Sequence, residues 1–188
     1  MCTIEVREAR LPADKPVILE FIMALQRYES SLEPNRRYDL SMAEEYYETL
    51  VERVRRGRIF IADDGGRPIG WTIVYEEETE AFIRADERRF AYLAELYVVE
   101  AARGTGIAYE LIDACEAWAR DAGYSTMRID LLARNERAAR AYAKAGYAPY
   151  CQEVRKRLLP APADEAEEAE IIPFKAARAR RYPLLAAE

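Results

Sequence analysis

A long apolar strand pattern that runs into a glycine-rich turn and then into an amphipathic helix constrains the fold of this chain most strongly. Residues 90–99 are rich in aromatic and aliphatic side chains, which is typical of a buried β-strand. Residues 103–108 contain glycines and lead into a helical pattern that ends before Gly123. The apolar face of that helix comprises Ile107, Leu111, Ile112, Cys115 and Trp118. The unit predicts an α/β domain.

Other apolar patterns predict the remaining elements. One helix begins after Asp14, and a second follows a capping box made by Ser41 and Glu44 and ends at Gly57. A short last helix covers residues 135–145. Further strands are predicted over residues 3–7, 58–62, 68–75, 124–132 and 147–158.

The order of these elements predicts the topology. Hairpins in the middle of the chain favour antiparallel pairing, whereas the late strand–helix–strand unit favours a parallel crossover. The predicted fold class is α/β, with a mixed, mostly antiparallel central sheet and helices on both faces. Residues 160–170 are rich in Pro, Ala, Glu and Asp, as linkers are. We therefore predict a domain over residues 1–158, followed by an acidic linker and C-terminal tail over residues 159–188.

The absence of histidine excludes several kinds of catalytic site. Ser-His-Asp and Cys-His catalysis and imidazole metal sites all need this residue. The cysteines, Cys2, Cys115 and Cys151, are odd in number and far apart, so we expect neither a disulfide framework nor a metal site. Proton transfer must then use Glu, Asp, Tyr, Lys, Cys or water.

Charge and hydropathy exclude other classes of partner. The net charge is −6 and no basic stripe occurs, so nucleic acid is not an expected partner. No apolar run reaches the ~20 residues that cross a bilayer, and the first residues do not form a secretion signal. We expect a cytoplasmic protein that does not bind membranes.

The glycine-rich turn has the chemistry of an anion site. Backbone N–H groups at a helix N-terminus bind phosphate, and glycines allow close approach of the ligand. The segment does not match the Walker A pattern, and because residue 109 is Tyr it does not match the dinucleotide Gly-x-Gly-x-x-Gly pattern. A tight turn without a ligand remains the alternative.

Two motifs in this order resemble the GNAT (Gcn5-related N-acetyltransferase) superfamily. The run Arg103-Gly104-Thr105-Gly106-Ile107-Ala108 matches the family's Arg/Gln-x-x-Gly-x-Gly/Ala pattern. Downstream, Asn135, Ala138, Tyr142, Gly146 and Tyr147 are similar to its second signature. The resemblance covers residues 3–158 and implies the acyl-CoA N-acyltransferase fold, in which the parallel strand pair splays apart.

The resemblance implies acetyl-CoA as the acetyl donor. Its pyrophosphate would be held by the backbone amides of Arg103, Gly104, Thr105, Gly106, Ile107 and Ala108. Its pantetheine arm would run along Leu96, Tyr97, Val98 and Val99, with the Val98 N–H on the thioester oxygen. Asn135 would lie near the arm, or would only cap its helix.

Two residues are candidates for proton transfer. By the resemblance, Tyr142 would protonate the departing thiolate, and the alternative is a core aromatic. Glu95 lies within an apolar strand on the same face as Tyr97 and would deprotonate the amine, unless it serves only as an ion-pair partner. Tyr28, Glu29 and Tyr38, between the first two helices, would shape the acceptor pocket. The acidic run Glu76, Glu77, Glu78 and Glu80 would attract a cation or simply face solvent.

The predicted function is transfer of an acetyl group to a primary amine of a small molecule or peptide. Transfer through a cysteine is disfavoured, because no cysteine has an activating neighbour in sequence. The alternative is a non-catalytic acyl-CoA-binding or sensor module. A homodimer formed through the tail is a further alternative for residues 159–188.

Overall fold

A computed structural model describes residues 4–159 of the chain. The strands are β1 Ile4–Glu8, β2 Gly57–Asp64, β3 Arg67–Glu78, β4 Arg89–Val98 and β5 Met127–Ile129. The helices are α1 Lys15–Ser30, α2 Leu40–Arg53, α3 Ile107–Asp121 and α4 Glu136–Lys144. The described residues up to Gln152 form one compact unit. No helix among the described residues is long and apolar enough to cross a membrane.

The five strands form one sheet in the order β1-β2-β3-β4-β5. Pairing is antiparallel from β1 to β4 and parallel between β4 and β5. The predicted mixed, mostly antiparallel sheet is therefore confirmed.

Helices cover both faces of this sheet, as predicted. On one face α1 and α2 bury residues such as Ile18, Ile22 and Leu50 against β3. On the other face α3 buries Leu111 and Ile112 against the sheet. Apolar residues recur at helical spacing on these helices, so each presents one stripe to the sheet.

Several predicted boundaries were wrong. The second helix is capped by Asp39, whose carboxylate accepts from the Met42 N–H, rather than by a box at Ser41. Gly57 does not end that helix but begins β2 with extended backbone. A Cβ at this position would lie 2.1 Å from the Val74 carbonyl oxygen, so the glycine is required by the close approach of β3.

The predicted strands at the end of the domain were also wrong in extent. Residues 124–132 form only the three-residue strand β5. Residues 147–158 form no strand, although they are rich in strand-forming side chains. Tyr150, Val154 and Leu158 are exposed. A strand needs a neighbour to receive its hydrogen bonds, and composition alone does not supply one.

Candidate functional site

A slot opens between β4 and α4 because the parallel pair separates halfway along β4. Pairing with β5 covers only Ala91 to Leu93, whereas β4 continues to Val98. The open side of β4, formed by Ala94, Glu95, Leu96, Tyr97 and Val98, lines this slot. Side chains from α1, from the loop before α3 and from α4 complete its walls.

A β-bulge at Ala94 decides which backbone groups face the slot. Ile73 lies opposite Glu95 and Val74 opposite Leu93, so Ala94 is an extra residue on β4. Before the bulge the Ala91 N–H points toward the β5 side, where it donates to Thr126. After it the Val99 N–H points to β3 and donates to Ile69. The bulge therefore reverses the alternation, so that odd-numbered residues direct their N–H groups toward β5 before the bulge and toward β3 after it.

The four predicted donor-binding residues of β4 consequently fall into two groups. Neighbouring residues in a strand direct their N–H groups to opposite sides. Because the Val99 N–H is engaged with β3, the N–H groups of Val98 and Leu96 point into the slot, and the backbone of Tyr97 points to β3. Tyr97 therefore lines the slot without directing its N–H into it, and Val99 does not line the slot.

The loop between β4 and α3 has the geometry of an anion site. Gly104 and Gly106 adopt φ of 81° and 102°, values that other residues rarely adopt. Nothing lies within 4 Å of the Cβ position of either glycine, so this side of the loop is open. The first amides of α3 precede its first internal hydrogen bonds, which the N–H groups of Tyr109 and Glu110 donate to Gly106. These amides and the helix dipole favour a phosphate here.

Not every residue of the predicted loop contributes in the predicted way. The Arg103 N–H donates to Glu100, so its backbone is already engaged. The Thr105 hydroxyl donates to Ala102 at 2.7 Å and shapes the turn. Ile107 is buried in the core, whereas Ala108 lines the slot.

The Arg103 side chain lies across the end of the slot that is nearest the loop. Its Nε donates to the Val98 carbonyl oxygen at 3.0 Å. Its guanidinium lies 5.8 Å from the ring centre of Tyr28 and 5.7 Å from that of Tyr97. These contacts hold a positive charge beside the anion loop.

Asn135 has the capping role that the sequence predicts. Its Oδ1 accepts from the Ala138 N–H at 3.1 Å, which satisfies the first turn of α4. The same atom accepts from the Tyr28 hydroxyl at 3.3 Å. Since Tyr28 and Asn135 both line the slot, this contact connects α1 with α4 across it.

Glu95 lies in the slot on the face that α1 and α2 cover. The Tyr46 hydroxyl, from α2, donates to its Oε1 at 2.5 Å. Burial raises the pKa of Glu95 to about 7, although the Tyr46 hydrogen bond acts in the opposite direction. A carboxyl group with such a pKa can exchange a proton near neutral pH.

Tyr142 lines the slot from α4 and is partly buried. Its ring packs against Tyr147 at 6.2 Å and against the core beneath α3. Burial and the nearby carboxylates of Glu95 and Glu29 raise its pKa above the usual value, so the phenol is protonated. The ring therefore has a packing role and also exposes an acidic group to the slot.

Other predicted residues lie apart from the slot or differ from the prediction. Tyr28 and Glu29 belong to the last turn of α1 and line the slot, whereas Tyr38 is exposed beside Arg27. Glu76 pairs with Arg56 and Arg89 and accepts from Tyr124, so it has a structural role.

The cysteines do not line the slot within the described part of the chain. Cys115 is buried, and burial raises the pKa of its thiol to about 12. Cys151 is exposed and lies in no strand, contrary to the prediction. Among residues 4–159, no three His, Cys, Asp or Glu side chains are grouped in the manner of a metal site.

A mixed sheet whose parallel pair opens beside a glycine-rich loop defines the class of protein: this is the acyl-CoA N-acyltransferase fold. The family model described as the acetyltransferase (GNAT) family matches residues 22–147. The chain belongs to this family and is an acetyltransferase.

Comparison with individual proteins agrees with the family. The chain is 30% identical over 120 residues to the uncharacterized N-acetyltransferase YdgE of Bacillus subtilis, a match that covers 62% of this chain and 73% of the relative. A GCN5-related N-acetyltransferase from Ralstonia eutropha superposes with a TM-score of 0.66 at 19% identity, covering 82% of this chain and 99% of that one. An aminoglycoside antibiotic 6'-N-acetyltransferase from Acinetobacter haemolyticus gives 0.64 at 16% identity, covering 84% and 99%.

Sequence reasoning missed Tyr46 as a residue of the site. It belongs to the apolar stripe of α2 in the sequence pattern, and only the packing of α2 on β4 brings its hydroxyl to Glu95. The polar hydroxyl within an apolar stripe was the available signal, because a buried tyrosine hydroxyl usually has a hydrogen-bond partner.

Proposed function

We propose that the chain transfers an acetyl group from acetyl-CoA to a primary amine by direct attack. One observation carries the proposal: the Val98 N–H points into a slot that joins an anion loop to two titratable side chains. A thioester group in this slot would meet a hydrogen-bond donor at its oxygen, a base on one side and an acid on the other.

The residues of the slot fit the donor. The open glycine loop and Arg103 suit a pyrophosphate, as anion sites at helix N-termini do. The N–H groups of Leu96 and Val98 are spaced like those of a strand edge, so the amides of a pantetheine arm can pair with them. Acetyl-CoA supplies the activated acetyl group, and the protein supplies the positions of the groups around it.

Three residues then share the chemistry. Glu95 accepts a proton from the bound ammonium, directly or through water, and leaves a neutral amine. The amine nitrogen forms the bond to the acetyl carbon while the Val98 N–H stabilises the negative charge on the carbonyl oxygen. As the carbon–sulfur bond breaks, Tyr142 gives its proton to the sulfur. The nitrogen, which is positively charged after attack, releases one proton to solvent, and Tyr142 regains a proton from solvent, so the products are the neutral amide and the free thiol.

The acceptor is proposed to be a primary amine of a small molecule or peptide. The negative charges of Glu95 and Glu29 favour a cationic group in this part of the slot. The related fold of the aminoglycoside antibiotic 6'-N-acetyltransferase is consistent with this class of acceptor. A cytoplasmic location and a homodimer through residues 159–188 stay predictions from the sequence.

Thiol release from acetyl-CoA, measured against a library of primary amines, tests the proposal. We expect turnover with a subset of amines, and a loss of at least about a hundredfold in kcat/KM for Glu95→Gln, the range that general base catalysis provides. Glu78→Gln, which removes an equal charge at the exposed end of β3, serves as the control. Binding of acetyl-CoA without thiol release to any amine would favour the sensor module instead.

A further inference from the structure

The slot is lined by both cationic and acidic side chains. Arg103 and Arg137 lie near the end that contains the anion loop and the start of α4. The carboxyl groups of Glu95 and Glu29 also line the slot, close enough to each other and to Tyr142 for their charges to interact. Three carboxyl groups line the slot: Glu95 is used by the proposed reaction, Asp130 accepts from the Tyr92 hydroxyl, and Glu29 has no role in the reaction.

Glu29 is an incompletely compensated charge. Its side chain is 19% exposed, and Arg36 Nε approaches its Oε2 only to 3.7 Å, beyond hydrogen-bond distance. Burial raises the pKa of Glu29 above its usual value, and Arg36 and a hydrogen bond from the Gln26 side chain oppose this with smaller effects. A buried carboxylate is costly unless a cation or donors satisfy it. Arg36 and Gln26 supply part of this compensation, and a ligand cation in the slot would add a full, close charge.

The carboxyl groups of Glu29 and Glu95 lie close enough together to contact the same bound molecule. Glu29 belongs to the last turn of α1 and Glu95 to β4. The two carboxyl groups are close enough to each other that the charge of Glu29 raises the pKa of Glu95. A single ammonium group that binds beside Glu95 leaves Glu29 with only the long Arg36 ion pair and the Gln26 hydrogen bond. A second cationic group on the same molecule would pair with it and would relieve the repulsion between the carboxylates.

Resting on the proposed function, we infer that the acceptor is a diamine or longer polyamine chain, whose reacting amine lies beside Glu95 and whose distal ammonium is bound by Glu29. The same charges disfavour acceptors that carry a carboxylate next to the amine, because that group would face two acidic side chains. Glu29 is thus a specificity-determining residue, and Glu95 retains its role as the base.

The test compares straight-chain diamines of increasing length with monoamines of the same length. We expect the wild-type enzyme to prefer the best diamine by about tenfold or more in kcat/KM, the effect of one charged hydrogen bond. Glu29→Gln should reduce the ratio of diamine to monoamine kcat/KM to near one, mainly through KM for the diamine. Glu78→Gln, with the same loss of charge away from the slot, should keep the wild-type ratio.

Equal use of diamines and monoamines by the wild-type enzyme would overturn the inference without any variant. An unchanged ratio in Glu29→Gln would also overturn it. If no amine releases thiol, the proposed reaction fails, but calorimetric titration of the diamine into the protein with coenzyme A still tests Glu29. Diamine binding that the Gln substitution weakens would then support the site, and no binding would reject it.

Discussion

Glu95 shows how a single side chain obtains its properties from three elements. Its own strand buries it, α2 supplies the Tyr46 hydroxyl, and α1 supplies the Glu29 carboxylate. Arg36 acts on it with a smaller, opposite effect, and Tyr142 faces it from α4. Burial has the largest effect and raises its pKa to about 7, so its protonation changes in the range where enzymes operate.

Tyr46→Phe is predicted to move the acidic limb of the kcat/KM pH profile to higher pH. The Tyr46 hydrogen bond lowers the pKa of Glu95, so its loss raises that pKa, and a base with a higher pKa needs more alkaline solution to lose its proton. Steady-state kinetics across pH 5 to 9, roughly the span around this group, measures the limb. Tyr38→Phe, at an exposed tyrosine, is the control. An unmoved limb would reject Glu95 as the group that titrates.

Tyr142→Phe is predicted to reduce kcat by at least about tenfold, because a proton donor of this kind contributes that much or more. The substitution keeps the ring that packs on Tyr147, so stability should change little. Thermal unfolding and thiol release together separate the two roles. Turnover within a factor of about two of wild type would leave Tyr142 as a packing residue only.

At the scale of elements, the loop between β4 and α3 depends on backbone conformations that only glycine adopts easily. Gly106→Ala is predicted to cost about 1–2 kcal/mol of stability from its φ of 102° and to weaken coenzyme A binding by about tenfold. Gly66→Ala, with a φ of 93° in the β2–β3 turn, is the matched control. It should lower Tm by a similar amount without changing the affinity measured by calorimetry. Equal losses of affinity in both variants would contradict an anion site at this loop.

Elements whose signals are local were predictable, and elements that depend on distant neighbours were not. Apolar spacing and a C-terminal glycine located α3, and the Asn135 cap located α4. The extent of β5 and the absence of a strand after Tyr147 depend on which edges accept hydrogen bonds. Asp39 took the cap of α2 because its carboxylate reaches the Met42 N–H from the preceding turn, and Ser41 already lies inside the helix.

The sequence predicted the part of the site that is formed by backbone groups better than the part that is formed by side chains. The motif at Arg103 to Ala108 identifies the loop, since glycine at positions 104 and 106 indicates backbone with positive φ. The Val98 N–H faces the slot and the Val99 N–H faces β3 because of the bulge at Ala94. No residue type in this stretch of sequence predicts that bulge. The contact between Tyr46 and Glu95 required the packing of α2 on the sheet.

At the scale of the whole molecule, Arg7 joins the first strand to the rest of the domain. It donates to Asp14 at 2.8 Å and lies 3.5 Å from Asp63 on β2. The Asp14 carboxylate also accepts from the Arg10 N–H, so it holds the turn between β1 and α1 instead of capping α1. Arg7 and these hydrogen bonds lower the pKa of Asp14.

Asp14→Asn is predicted to reduce the free energy of unfolding by about 1–2 kcal/mol at neutral pH. Because the pKa of Asp14 is lowered in the folded state, its contribution is present above the ordinary value of 3.8 and is lost as the pH falls through the folded value. Urea unfolding at pH 7 and at about pH 3 measures this, and the difference between variant and wild type should shrink in acid. A difference that is equal at both pH values would reject the ion pair as its cause.

A chain that ends at Leu158 is predicted to fold and to keep its activity. Every helix and strand of the described residues lies between Ile4 and Lys144. Its Tm should lie within about 3 °C of that of the full chain, the shift that about 1 kcal/mol produces at this size. Scanning calorimetry and thiol release check the two expectations. A larger fall in Tm, or loss of activity, would make residues 159–188 part of the working domain.

The bulge at Ala94 has a consequence for how this enzyme can vary. Main-chain groups of Leu96 and Val98 face the slot while their side chains pack against the core, so apolar side chains of similar size at these two positions keep the same backbone donors. A one-residue insertion or deletion between the bulge and Arg103 would instead turn those donors toward β3. The segment therefore tolerates conservative apolar substitution far better than any change in its length.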